Sequence, residues 1–228
     1  VRQRHEVALS LPESDQHRLP HRRTIEPFCG PSDHITSFYC DNAPELITAA
    51  RVCKWRLATA TRGMPHTNGV AERSARTIKE GVAVESFSLA QRHDVLAESG
   101  KHVCFSTNIM IVNGDSACNR RHKQGHFKGM LIPFGALVDF MPQPDTKVES
   151  IGSKTFPGVF IGWHIHPGGL WSNDYLVAEL SSFKANFNVA WSKVKLHRIR
   201  EVVAITNGKF HFPVARWRRA ELLNYSEP

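Results

Sequence analysis

The chain has 228 residues, 41% of them hydrophobic, which suffices for a core and fits one or two domains. No apolar run approaches the ~18 residues of a membrane span, and residues 1–11 lack the apolar stretch of a secretory leader. Twenty-nine Lys and Arg oppose 21 acids, a net charge of +8 that favours a polyanionic partner, most simply nucleic acid; a soluble domain with a cationic surface would show the same balance.

Residues 1–26 are polar, basic and irregular, and only Val7 to Leu11 has strand character; poor order is expected there. Val1 in place of an initiator Met reads as a fragment of a longer product. Ile35 to Cys40 is β-branched and aromatic, a predicted strand that Asp41-Asn42 ends. Ala43 to Arg51 is a predicted helix with Asn42 as its N-cap and Pro44 in its first turn. Trp55 to Thr61 is a second predicted strand, Gly63 to Gly69 a loop, and Val70 to Ser86 a helix. At 100° per residue, Ala71, Ala75, Ile78 and Val82 form its apolar stripe, while Glu72, Arg76 and Lys79 share another face.

Residues 88–113 read as one or two packing helices broken near Gly100, and Asn113 to Gly129 as a basic linker. There Arg120, Arg121 and Lys123 are candidate phosphate contacts, although a solvated charge run is the commoner meaning of such a stretch. Cys118, His122 and His126 are spaced by four, but Gly125 and the lack of a fourth ligand argue against a closed zinc site. Five scattered cysteines without a CxxC pair fit reduced thiols. From Leu131 short strands are predicted at Ala136 to Phe140, Gly158 to Trp163, Tyr175 to Leu180 and Asn186 to Trp191, with turn signals between them; the pattern suggests a small antiparallel barrel. The predicted division is therefore a basic N-terminal segment (1–26), an α/β unit (27–113), a basic linker (114–130), a barrel (131–192) and a basic tail (193–228).

The candidate chemistry lies between Asp41 and Glu72. One carboxylate follows a strand and the other sits just inside a helix, an arrangement that can bring two acids distant in sequence to one divalent ion. Oxygen ligands suit hard Mg²⁺, and paired ions held by carboxylates activate and stabilise the oxygens of phosphoryl transfer. The alternative is an ordinary Glu72–Arg76 surface pair, worth about 0.3–0.5 kcal/mol.

The segments SFYCDNAPEL and TRGMPHTNGVAERSARTIKEG resemble the catalytic core of a retroelement integrase, most closely the copia-type retrotransposon branch. HFKGMLIPFGALVDF and GSKTFPGVFIGWHIHPGG look like the small Src-homology-type barrel that follows that core in copia polyproteins, so the resemblance covers roughly residues 27–190. It implies a partial RNase H-like core followed by the barrel. It further implies Mg²⁺ (or Mn²⁺) on Asp41 and Glu72, and phosphate contacts from Arg73, Arg76 and Lys79. Asn68-Gly69 becomes the turn that presents Glu72, with Asn68 at the nucleic acid. DNA (element ends and target), room for a homo-oligomer and action in the nucleus follow from the same likeness. The family's first catalytic Asp has no counterpart here: neither Asp15 nor Asp33 fits it, and the His/His/Cys/Cys zinc region is missing. The resemblance thus implies an N-terminally truncated or decayed copy, impaired in strand transfer. The alternatives are a non-catalytic basic DNA-binding remnant and a structural interaction module.

Overall fold

A computed structural model describes residues 29–30, 33–89, 95–142, 155–184, 190–204 and 209–224. The predicted strand at Val7–Leu11, the rest of residues 1–26 and positions 186–189 of the last predicted strand lie outside the described residues. The chain divides into two compact units, Val1–Ala75 with His166–Leu170, and Arg76–Ile165 with Trp171–Pro228.

The first unit is built on a β-α-β segment. Strand β1 (Phe38–Cys40) pairs in parallel with β2 (Leu57–Thr59), in the register Phe38↔Leu57 and Cys40↔Thr59. Parallel neighbours need a crossover, supplied by α1 (Pro44–Val52). Ala49 and Ala50 are fully buried on α1, small enough to let the helix lie close to the strands. Glu45 in its first turn and Arg51 in its last match the helix dipole. A 3-10 turn, Pro65–Asn68, then leads into α2 (Gly69–Ser86), which continues into the second unit.

In the second unit α3 (Leu96–Ile109) is followed by a two-stranded hairpin, β3 (Ile111–Val112) and β4 (Asp115–Ser116), and by α4 (Ala117–His122). Two expectations change here. Gly100 does not break α3, because Val103, Phe105 and Ile109 bury along it, and that burial outweighs the ~1 kcal/mol a mid-helix glycine costs. Residues 114–130, expected as a linker, are ordered by capping. The Ser116 hydroxyl accepts from Asn119 N–H (3.1 Å), and the Asp115 carboxylate accepts from the Asn119 amide (2.8 Å).

Five strands follow: β5 (Leu137–Phe140), β6 (Phe156–His166), β7 (Leu170–Glu179), β8 (Leu196–Ile199) and β9 (Val202–Ala204), with the short α5 (Ser181–Lys184) after β7 and α6 (Pro213–Asn224) last. They make an antiparallel sheet in the order β8-β7-β6-β5-β9. The expected barrel is corrected: β8 and β9 are opposite edges, so among the described residues the sheet is open. Residues 193–228, expected as a tail, supply both edges and α6. Trp191 opens a 3-10 turn, Trp191–Lys193, rather than ending a strand.

The central strand β6 is buried on both faces, which explains its unbroken apolar run. Phe160 and Trp163 join one core with Phe105, Val138 and Val177; Val159 and Ile161 join another with Leu89, Phe134 and Val214. Gly162, with φ of 153°, interrupts the alternation so that Trp163 lies on the Phe160 side. His102 of α3 stacks on Trp163 (centroids 4.8 Å apart), with Nδ1 2.5 Å from Glu85 Oε1 of α2 and Nε2 3.1 Å from the Ile132 carbonyl. No helix among the described residues is long and apolar enough to cross a membrane, and no disulfide joins the cysteines.

Candidate active site

Asp41 directly follows β1 and is exposed. Its Oδ1 accepts from the Ala43 N–H (3.1 Å), so Asp41 holds the entry to α1. Asn42 is not the N-cap that the sequence suggests; Ala43 is. The Asn42 amide instead donates to the Ala60 carbonyl (2.8 Å), just past β2. Ala60 N–H donates to the Cys40 carbonyl (2.9 Å), extending the strand pairing by one bond. Burial, and then the charge of Asp41, push the buried Cys40 thiol above its ordinary pKa.

The loop before α2 is tied to the same strand. The Tyr39 hydroxyl donates to the Thr67 carbonyl at 2.6 Å. Thr67 in turn organises the loop: its hydroxyl accepts from Thr61 N–H (3.1 Å) and donates to the Met64 carbonyl (2.7 Å). Glu72 follows in the first turn of α2, exposed, where the helix dipole favours a negative charge. Asp41 and Glu72 therefore belong to one unit. The first stands two residues after Tyr39, the second one helical turn after the loop that Tyr39 holds.

Asn68 and Gly69 act differently from expectation. Gly69 has φ −57° and ψ −26°, ordinary right-handed helix, and a Cβ there would meet nothing within 4 Å. Glu72 is thus presented by a helix start and not by a glycine-dependent turn. The Asn68 side-chain oxygen is buried, while the residue as a whole is half-buried. Arg73 is exposed beside Glu72; Arg76 and Lys79 are exposed further along α2, within the second unit. The apolar stripe of α2 is not buried: Ala71 and Ala75 are exposed, and Ile78 and Val82 only half-buried.

Arg120, Arg121 and Lys123 are exposed at the C-terminal end of α4, where cations complement the dipole; they too belong to the second unit. Sequence reasoning missed a further charged group. Asp174 of β7 is buried, and its Oδ2 accepts from Arg198 Nε (2.7 Å), Arg198 Nη2 and Ser172 Oγ (3.1 Å), while Oδ1 faces Arg200 Nε at 3.4 Å. Burial pushes this carboxyl up, but the bonds from Arg198 and Ser172 and the guanidinium charge outweigh it and hold the pKa below the usual range. The strand alternation of Leu196 to Arg200, with Arg198 and Arg200 two apart, was the available signal.

No family model matches this chain, and no curated protein matches it either.

Proposed function

We propose that the chain is the integrase region of a copia-type retrotransposon polyprotein, a partial RNase H-like core followed by a β-rich DNA-binding unit. On this reading its partner is DNA (element ends and target), its compartment the nucleus, and its metal Mg²⁺ or Mn²⁺. The observation that carries the reading is the Tyr39–Thr67 bond, which fastens the Asp41 end of β1 to the loop from which the Glu72 helix departs. The donor set fits the ion: both carboxylates are exposed, and hard oxygens suit Mg²⁺. Bound there, the ions supply activation of a 3′-hydroxyl and stabilisation of the leaving oxygen. Asp41 and Glu72 would hold them, and the exposed guanidinium of Arg73 would steady a phosphate next to Glu72.

A second reading is favoured by a specific feature of the residues. Only two acids match the motif, and Asp33 is engaged locally, accepting from the Gly30 N–H at 3.0 Å. With two carboxylates the chain binds a divalent ion weakly and serves as a non-catalytic DNA-binding remnant. Joining of labelled DNA ends in Mg²⁺, compared between the parent and Glu72→Gln, separates the readings: loss of product in the variant supports catalysis, and equal product from both ends it. Mn²⁺ binding followed by electron paramagnetic resonance should weaken about tenfold or more in both Asp41→Asn and Glu72→Gln. Unchanged binding in either variant would remove that residue from the site.

A further inference from the structure

We propose that Arg198 and Arg200 form a preorganised oxyanion site in the second unit, taking a phosphate group, whether a backbone phosphodiester or a free phosphate. The inference goes beyond the reading of Asp41 and Glu72 and does not rest on it. Arg198 of β8 and Arg200, one residue past its end, share one partner, the buried Asp174 of the neighbouring β7. With Met141, Pro142 and Glu201 these three residues line one open groove.

Asp174 is the positioning residue. Its oxygens take the Nε and one Nη of Arg198, which holds that guanidinium at two points, and meet Arg200 at its Nε alone. The Arg198 side chain is still 47% exposed and that of Arg200 80%. One guanidinium held in place and a second, largely in solvent, beside it bring two positive charges to one phosphate-sized spot. Ordering Arg198 beforehand removes part of the entropy that binding would otherwise cost. A purely structural pair pinning β7 to β8 would need only Arg198; Arg200, mostly in solvent and 3.4 Å away, adds little to such a pin. Glu201 is exposed at the groove and opposes an anion, which gives the site a built-in sign test.

The test uses the full chain in EDTA, so that failure of the metal reading cannot affect it. Anisotropy of a labelled short DNA duplex is followed across a salt series, and inorganic phosphate is titrated by calorimetry. Arg200→Ala should weaken binding several-fold and reduce the duplex salt slope by about one, with an unchanged melting temperature. Arg198→Lys, which keeps the charge but loses the fork, should weaken it as well, and Glu201→Gln should tighten it. A response to duplex alone assigns the site to backbone phosphates; a response to both probes assigns it to the phosphate group itself. Failure of the parent to bind either probe, or parent-like binding by both Arg200→Ala and Glu201→Gln, overturns the proposal.

Discussion

The Tyr39 hydroxyl reaches across 28 positions of sequence to the Thr67 carbonyl. A hydrogen bond of this kind contributes about 0.5–1.5 kcal/mol, and here it also sets where α2 begins relative to β1. Tyr39→Phe keeps the ring and deletes the bond. It should lower the melting temperature only slightly yet weaken Mn²⁺ binding several-fold, measured by paramagnetic resonance beside a melt; parent-like affinity would show that Tyr39 does not order the acids. At this scale the sequence was half legible. Asp41 and Glu72 announce themselves as carboxylates at a strand end and a helix start. The roles of Asn42 and Asn68 do not, because an asparagine caps, turns or bridges according to which backbone carbonyl is near, and Ala60 becomes a neighbour of Asn42 only once β1 and β2 pair.

Among the elements, α2 and α3 meet at Gly81. A Cβ at that position would lie 2.7 Å from Val103 Cγ1, a branched side chain that cannot swing aside. Gly81→Ala should therefore destabilise by roughly 1–3 kcal/mol, even though alanine favours an isolated helix by ~1 kcal/mol. Adding Val103→Ala should recover part of that loss, and denaturant melts of the two single variants and the double variant check the coupling; strict additivity would refute the contact. Element types were readable where burial is one-sided or complete, as in the Val159–Trp163 run of β6. Boundaries were not. Ile35 to Ser37 and Trp55-Arg56 have strand composition but lie outside β1 and β2, since ladder length is set by the partner. The Arg120–Lys123 run looked like a linker because capping at Ser116 leaves no periodic trace in so short a helix.

For the molecule as a whole, acid sensitivity follows from groups with lowered pKa, two of them, His197 and Asp174, in the sheet. His197 is held below the ordinary imidazole range by burial and then by Lys195, against the opposing pull of Glu179. The unfolded chain binds its proton near pH ~6.5 while the folded one resists, so stability falls as pH drops through that range. Asp174, also depressed, contributes stability present above pH ~3.9 and lost as pH falls further through its folded value. Denaturant melts from pH 8 to 3 should show both losses, with His197→Gln lacking the first; an identical profile for the variant would exclude His197 as its source. Strands β5, β6 and β7 were legible, the edges β8 and β9 were read as a tail, and closure was not legible because it depends on whether the first and last strands find each other, which no local pattern encodes.

Among the described residues the unclosed sheet leaves two rims, and they are unequally guarded. The β8 rim carries Arg198, with Lys195 and Arg200 flanking the strand, and like charges on a second molecule would repel it. The β9 rim, Val202–Ala204, has no charged side chain, and Val203 is 61% exposed. Foreign extended chain would add there first, so crowding and high concentration select this neutral margin as the seed of self-stacking.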